Sequence, residues 1–166
     1  LMDYNQGKSL IEQKVEDFSA NKKEYLSHNF NEARARARFI DPFFHALGWD
    51  FEQTNLKMSQ WDVLREYSDH NTTKRPDYAF QIGGELKFFV EAKAPWVPLT
   101  NKEPVFQAKR YAFSTNGKAP IIVLTDFEEF RVFNALKKPD FNLPLEGVLK
   151  QYDLTYEKYL DKWDLL

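Results

Sequence analysis

A hairpin signal in the middle of the chain constrains the fold more than any other feature. The β-prone runs Asp77–Ile82 and Leu86–Ala94 are separated only by Gly83-Gly84-Glu85, a composition typical of a tight turn between antiparallel strands. The second run is strongly apolar, yet it carries the charges of Glu91 and Lys93. Because isolated charges are costly inside such a strand, we expect these two to face a cleft or a ligand.

Helical patterns precede this hairpin. Apolar residues spaced among many charges predict an amphipathic helix over residues 8–28. Asn29 or Asn31 can cap a second helix that begins at Glu32. Pro42 lies inside the second pattern and predicts a kink or a restart one residue earlier.

The rest of the chain adds strands and helices in alternation. We predict an irregular segment over 53–73, a helix over Glu103–Ser114, a buried strand over Ile121–Leu124 and another over Phe130–Phe133. A last helix is expected within residues 150–166, leading out of the domain. This order of elements predicts an α/β fold with a central mixed β-sheet flanked by helices.

Composition excludes several classes of protein. The 166 residues are 43% hydrophobic, which suits one domain with a substantial core. The chain has no cysteine, which excludes a disulfide scaffold, a thiolate zinc site and a catalytic thiol, and fits a cytoplasmic location. No apolar run reaches the length of a membrane span.

The net charge is −2, whereas a domain that bound DNA by itself would usually be more basic. Contact with nucleic acid would therefore need a small local patch or the help of further domains. We expect residues 1–166 to form one domain, with its core at about 30–135, within a larger protein.

Folding the hairpin about its glycines brings two acidic side chains together. Asp77 then lies opposite Glu91, with Cβ atoms roughly 5 Å apart. Two carboxylates this close repel each other unless a cation or a proton lies between them, and oxygen ligands suit Mg²⁺. The backbone carbonyl of Ala92 is a further candidate ligand, and Lys93 would stabilise charge on a phosphoryl group. An ordinary cross-strand ion pair is the alternative interpretation.

Several motifs, taken in order, carry a family resemblance. Pro76-Asp77 followed by Glu91-Ala92-Lys93 resembles the signature of the PD-(D/E)xK nuclease superfamily. Gln107-Ala108-Lys109-Arg110-Tyr111 is similar to the QxxxY motif of its RecB-like branch. Residues 30–50 resemble the opening helix of nuclease domains in type I and type IIG restriction-modification enzymes, and residues 124–130 resemble their later strand and turn.

This resemblance implies a restriction-endonuclease-like fold and an Mg²⁺-dependent DNA endonuclease, with Mn²⁺ as a substitute ion. The domain would be the N-terminal endonuclease domain of a type I or type IIG enzyme. Its partners would be double-stranded DNA and the methyltransferase and target-recognition domains or subunits of the parent enzyme. Cleavage of both strands would need transient pairing of two copies.

The resemblance also assigns roles to individual residues. Asp77 and Glu91 would bind the metal, and Lys93 would be the catalytic lysine. Glu32 matches a helix-borne acid that often completes the site through a water molecule. On the residues alone, Glu32 is better explained by a favourable place at a helix N-terminus and by a pair with Arg36.

The QxxxY segment supplies the remaining candidates. Gln107 and Tyr111 lie one helical turn apart and would line the cleft, although Tyr111 also suits a core position. Lys109 and Arg110 are candidates for contacts with DNA phosphates. The arginines of the second helix are expected to form a solvated face: Arg34, Arg36 and Arg38.

Two other functions stay open at this point. One is a repair or recombination nuclease of the RecB-like branch, although the absence of cysteine excludes its iron–sulfur form. The other is a non-catalytic DNA-binding module that retains the fold.

Overall fold

A six-stranded mixed sheet forms the centre of the molecule, in the order β1-β2-β3-β4-β5-β6. The structure is a computed structural model that describes residues 2–54, 57–67 and 75–166. The strands are β1 (Val63–Arg65), β2 (Tyr78–Ile82), β3 (Glu85–Ala92), β4 (Ile121–Thr125), β5 (Glu129–Asn134) and β6 (Leu154–Thr155). The helices are α1 (Tyr4–Ala20), α2 (Lys22–Tyr25), α3 (Glu32–Ala35), α4 (Asp41–Ala46) and α5 (Lys102–Ser114).

Strands β3 and β4 run parallel, whereas every other neighbouring pair is antiparallel. Helix α5 makes the crossover between β3 and β4, since parallel neighbours need a long connection. The α/β class, the mixed sheet and its flanking helices are therefore confirmed, and the architecture is consistent with a restriction-endonuclease-like fold. No helix among the described residues is long and apolar enough to cross a membrane.

The β2–β3 hairpin turns at two glycines, as predicted. Gly83 and Gly84 both have positive φ, +60° and +83°, which is the conformation that a two-residue turn of this hand requires. Tyr78 pairs with Val90, so Asp77 precedes β2 at the level of Glu91. A β-bulge between Phe80 and Gln81 shifts the register near the turn, and the sequence did not predict it.

Side chains of β3 alternate between two apolar cores. Val90 and Ala92 join the core under α1, α3 and α4, whereas Phe89 joins the core under α5. Because residues two apart share a face of a strand, Glu91 lies on the α5 side with Phe89. The fold thus directs Glu91 toward the cleft beneath α5.

The N-terminal helical segment differs from its prediction over residues 8–28. Helix α1 begins at Tyr4, because Asp3 and Gln6 form a reciprocal capping box at its start. The helix ends at Ala20, where Asn21 donates from its side chain to the carbonyl of Asp17. A separate short helix, α2, follows.

The second helical segment matches its prediction closely. Asn31 caps it by accepting a hydrogen bond from the Arg34 amide at 3.0 Å. Residues Arg36–Ile40 then form one wide π turn, and the Asp41 amide donates to the Arg36 carbonyl. Pro42, which has no amide hydrogen to donate, occupies the first turn of α4, so the predicted restart is confirmed.

The predicted helix within residues 150–166 is wrong. The segment forms the short strand β6 between two 3₁₀ turns, Lys150–Tyr152 and Tyr156–Lys158. Pairing of β6 with β5 returns the chain to the sheet, and Tyr159 is fully buried, donating to the Phe127 carbonyl at 2.6 Å. The segment therefore completes the core instead of leading away from it.

The stretch 53–73, predicted to be irregular, also contains an element that the sequence did not reveal. Residues Val63–Arg65 form the edge strand β1, which pairs with β2. Residues 55–56 and 68–73 of this stretch lie outside the described residues.

Candidate active site

The site begins with a hydrogen bond that links the start of β2 to the end of β3. Asp77, the residue before β2, accepts a hydrogen bond at Oδ2 from the Ala92 amide at 2.7 Å. This contact places the carboxylate at the end of β3, next to Glu91. The arrangement agrees with the predicted opposition of Asp77 and Glu91, while the role of the Ala92 carbonyl as a metal ligand stays a prediction.

Glu91 and Lys93 form a close ion pair at the same end of the hairpin. Lys93 Nζ lies 2.6 Å from Glu91 Oε1, and the Lys93 amide donates to the Thr125 carbonyl at 2.9 Å. The side chains are mostly buried, with 16% of Lys93 and 22% of Glu91 exposed. Strand β4 therefore fixes the backbone of the lysine, and the lysine is held beside the acid.

Glu32 joins this group from the other side of the molecule. It opens α3, directly after the capping residue Asn31, and its Oε2 lies 3.8 Å from Lys93 Nζ. The structure thus brings Glu32 together with Asp77, Glu91 and Lys93, although α3 lies far from the β2–β3 hairpin in the sequence.

Electrostatics in this cluster depend on burial and on the mutual repulsion of the acids. Burial, followed by the charge of Asp77, raises the pKa of Glu91 to about 7. The same two causes, in the same order, raise the pKa of Glu32. Burial lowers the pKa of Lys93, but the neighbouring acids, Glu91 first, outweigh it and raise the pKa overall. The lysine therefore stays protonated, while the acids compete for a cation or a proton.

A cavity of about 220 Å³ opens onto this cluster beneath α5. Its lining includes Glu91, Gln107 and Tyr111, together with Arg75 and Pro76 from the segment before Asp77. The Gln107 amide donates to Glu103 on the same helix. The predicted pair of α5 residues therefore does line the cleft.

Tyr111 combines a core position with an unusual hydroxyl group. Its ring packs edge-to-face against Phe89, with the ring centroids 5.1 Å apart. Its Oη is buried and finds no hydrogen-bond partner among the described residues. A buried hydroxyl without a partner is costly, so this group is a candidate for contact with a ligand.

The two candidates for phosphate contacts differ in their exposure to solvent. Lys109 is buried, with 3% exposed, and its Nζ donates to the carbonyls of Pro144 at 3.2 Å and Glu146 at 2.7 Å. The structure thus holds Lys109 away from solvent, against its prediction as a phosphate contact, because its long side chain reaches the loop after β5. Arg110 is exposed, and its contact with DNA phosphates stays a prediction.

Arg36 is the site residue that sequence reasoning missed. It was expected on a solvated face, but its Nη1 lies 3.3 Å from Asp77 Oδ1 and only 19% of its side chain is exposed. The spacing from Glu32 carried a signal, since residues four apart share one face of a helix. If Glu32 faces the site, its position on the helix predicts that Arg36 faces the site as well.

The donor set suits a cation that keeps much of its hydration. No three acidic or histidine side chains among the described residues converge into a complete metal cage. Mg²⁺ does not require one, because it commonly binds through one or two carboxylates plus water and substrate phosphates. The neighbouring carboxylates of Asp77 and Glu91, on a partly open cleft, meet that requirement.

The architecture defines an α/β domain that is consistent with the restriction-endonuclease-like fold. Comparison with known proteins agrees with this class. The family model for the type I restriction enzyme R protein N terminus matches residues 53–141, more than half of the chain. The chain therefore belongs to this family.

A curated relative points the same way. The chain is 32% identical, over 95% of its length, to the type II restriction enzyme and methyltransferase RM.Eco57I of Escherichia coli. The match covers 16% of that relative. No solved structure matches the chain.

The raised pKa of Glu91 predicts a pH-dependent cost to folding. A folded-state pKa of about 7, above the ordinary 4.5, means that the folded protein holds this proton more tightly than the unfolded chain does. The stability associated with Glu91 is therefore present at low pH and is lost as pH rises through about 7. In EDTA, Glu91→Gln should unfold at a higher urea concentration than wild type at pH 8, and the difference should shrink toward pH 4.5.

Glu85→Gln is the control, because Glu85 lies on the same strand and its side chain is 79% exposed. It should show no gain in stability at pH 8. A Glu91→Gln profile parallel to that of wild type at every pH would contradict the assignment.

Proposed function

We propose that this domain is the endonuclease part of a restriction-modification enzyme and hydrolyses DNA phosphodiester bonds with Mg²⁺. The observation that carries the proposal is the convergence of Asp77, Glu91 and Lys93 at the open end of one hairpin. Family membership supports it, because the matching family is the N terminus of the type I restriction enzyme R protein. The same match favours a restriction enzyme over a RecB-like repair nuclease, although both would carry the QxxxY segment.

Asp77 and Glu91 are the residues that would hold the ion, with the Ala92 carbonyl as a further ligand and Mn²⁺ as a substitute ion. When bound, the ion polarises a phosphoryl oxygen and lowers the pKa of water. Burial first, and then the charge of Asp77, raises the pKa of Glu91, and a cation between the two acids would remove the second of these causes. The site therefore favours a cation on electrostatic grounds alone.

Lys93 is the residue that would stabilise charge on the phosphate. Its ammonium stays protonated at neutral pH, because Glu91 at 2.6 Å and the more distant Glu32 outweigh the effect of burial. An ammonium held in a fixed place offers a preorganised donor to the oxygens that gain charge in the transition state. Glu32 would orient a water molecule beside it.

Gln107 and Tyr111 would contact the substrate on the α5 side of the cleft. The side chain of Gln107 is anchored by Glu103, so its position is set before DNA arrives. The buried Tyr111 hydroxyl would gain its hydrogen bond only when a ligand or water enters the cavity. Exposed Arg110, at the adjacent position of α5, remains the candidate for a phosphate contact.

The charge of the chain agrees with a domain that depends on others for DNA affinity. The net charge of −2 gives little general attraction to a polyanion. The relative RM.Eco57I carries restriction enzyme and methyltransferase in one protein. We infer that methyltransferase and target-recognition parts deliver double-stranded DNA to this domain, and that two copies pair transiently to cut both strands.

Loss of Lys93 or Asp77 should strongly slow the nicking of supercoiled plasmid at low salt with Mn²⁺ or Mg²⁺. Lys93→Ala removes one preorganised charge and should slow nicking by about 10²–10³-fold. Asp77→Asn keeps the shape but removes the anionic ligand, and it should be equally inactive. Gel-resolved nicking rates, with EDTA as a further control, provide the measurement.

Lys87→Ala is the matched control, because Lys87 lies on the same strand and its side chain is 40% exposed. It should nick at the wild-type rate. DNA binding without metal-dependent cleavage in the parent enzyme would favour the non-catalytic module instead.

Tyr111→Phe should separate activity from stability. The variant deletes a buried hydroxyl that has no partner among the described residues, so its thermal midpoint should equal or exceed that of wild type. The nicking rate should nevertheless fall about tenfold if the hydroxyl contacts substrate, since one hydrogen bond is worth about 1–1.5 kcal/mol. Parallel melting curves and nicking assays test this.

The prediction for Tyr111 fails if the variant melts several degrees lower and nicks at the normal rate. Its hydroxyl would then serve the core alone.

A further inference from the structure

A chain of polar contacts runs from the protein surface to Asp77. Asp41 accepts from Arg65 Nη2 at 2.6 Å through Oδ2 and from Tyr78 Oη at 2.5 Å through Oδ1. Tyr78 Oη in turn accepts from Arg36 Nε at 3.1 Å. Arg36 Nη1 then pairs with Asp77 Oδ1 at 3.3 Å. We call Arg36, Asp41, Arg65 and Tyr78 the Asp77 support network.

Tyr78 is the centre of this network. It is fully buried, and its hydroxyl donates to Asp41 Oδ1 and accepts from Arg36 Nε. It sets where both neighbouring side chains lie.

Arg36 is held on three sides. Its Nε donates to the Tyr78 hydroxyl, its guanidinium lies 4.8 Å from the centroid of the Tyr78 ring, and its Nη1 meets Asp77. Arg36 opens the π turn Arg36–Ile40, and only 19% of its side chain is exposed. A guanidinium fixed at several points is a rigid support, since its donors have a fixed planar geometry.

We propose that Tyr78, acting through Arg36, is a positioning residue that fixes the Asp77 carboxylate for metal binding; this rests on the proposed function. The Ala92 amide holds Oδ2 and Arg36 holds Oδ1. A carboxylate has about four lone-pair sites, so two donors restrain its orientation and still leave sites for a cation. Groups that orient a metal ligand in this way commonly change metal affinity by about 10–100-fold.

The best test removes the Tyr78 hydroxyl and leaves Arg36 intact. Loss of the Arg36 charge would alter the attraction of the site for a cation directly, whatever its effect on geometry. Tyr78→Phe keeps the charge of Arg36 and the ring beneath it. It removes only the hydroxyl that fixes the guanidinium.

A second network in the same protein supplies a matched control. Arg38 donates from Nε to the Tyr25 hydroxyl at 2.8 Å and pairs with Asp17 at 2.9 Å. The Tyr25 hydroxyl donates to Asp17 at 2.9 Å, and its ring lies beneath the Arg38 guanidinium, 5.6 Å from centroid to Cζ. This arrangement repeats the tyrosine, arginine and aspartate set, but its aspartate is on α1 and not at the site.

The experiment compares wild type, Tyr78→Phe and Tyr25→Phe. Mn²⁺ binding without DNA is measured from the free-ion electron paramagnetic resonance signal, and thermal unfolding is recorded in parallel. Tyr78→Phe should weaken Mn²⁺ binding about 10-fold or more, and it should raise the Mn²⁺ concentration for half-maximal nicking by the same factor. Tyr25→Phe should lose similar thermal stability but bind Mn²⁺ within about twofold of wild type.

A second pair of variants keeps the proposal testable if Tyr78→Phe fails to fold. Arg36→Lys keeps the charge, but a single ammonium lacks the fork that spans Tyr78 and Asp77, so it should also weaken Mn²⁺ binding. Arg38→Lys is its control and should not.

The outcomes distinguish the positioning role of Tyr78 from the proposed nuclease function. If wild type binds Mn²⁺ through Asp77 and both Tyr78→Phe and Arg36→Lys bind it equally well, the positioning role is overturned. The nuclease proposal then still stands. If wild type neither binds Mn²⁺ nor nicks DNA, the positioning role and the nuclease function are both overturned. If Mn²⁺ binding weakens in the Tyr78 and Arg36 variants but not in the Tyr25 and Arg38 controls, both proposals are supported.

Discussion

The hydrogen bond from the Ala92 amide to Asp77 connects the fold to the site. It closes the open end of the β2–β3 hairpin and fixes an acidic side chain beside two charged residues of the neighbouring strand end. The strand register, the turn at Gly83-Gly84 and the parallel partner β4 all determine where that amide lies. Charge is therefore concentrated where the sheet ends, although most of β3 is apolar.

Concentrating acids in this way has an energetic cost that a cation would remove. Burial raises the pKa of Glu91 and Glu32, and Asp77 adds to the effect on both. Lys93 and Arg36 offset part of the repulsion, one on each side of the carboxylates. The two cations therefore compensate the acids only in part, and under the proposed function a metal ion would relieve the repulsion that remains.

Local patterns predicted the parts of the fold that local physics decides. The paired glycines specified the hairpin, and Pro42 specified the restart of the second helix, because each residue restricts its own backbone. The terminal segment was mispredicted, since its aromatic residues follow helical spacing but pack on the sheet through the pairing of β6 with β5. That pairing depends on tertiary contacts that periodicity does not report.

The same distinction holds for the site. Strand alternation and hairpin pairing predicted the neighbourhood of Asp77, Glu91 and Lys93, because both follow from fixed geometry. The predictions for Arg36 and Lys109 were both wrong, since only the packed structure shows that Arg36 reaches an acid and Lys109 reaches backbone carbonyls. Side-chain reach across the fold is what the sequence did not determine.

An anomalous-scattering map from crystals of the domain grown with Mn²⁺ would locate the ion directly. If Asp77 and Glu91 form the metal centre, one strong peak should lie in contact with carboxylate oxygens of both residues, at roughly 2.0–2.2 Å, the range of hard-cation ligation. A peak elsewhere, or none at an ion concentration that supports nicking, would contradict the claim that these two acids form the metal centre.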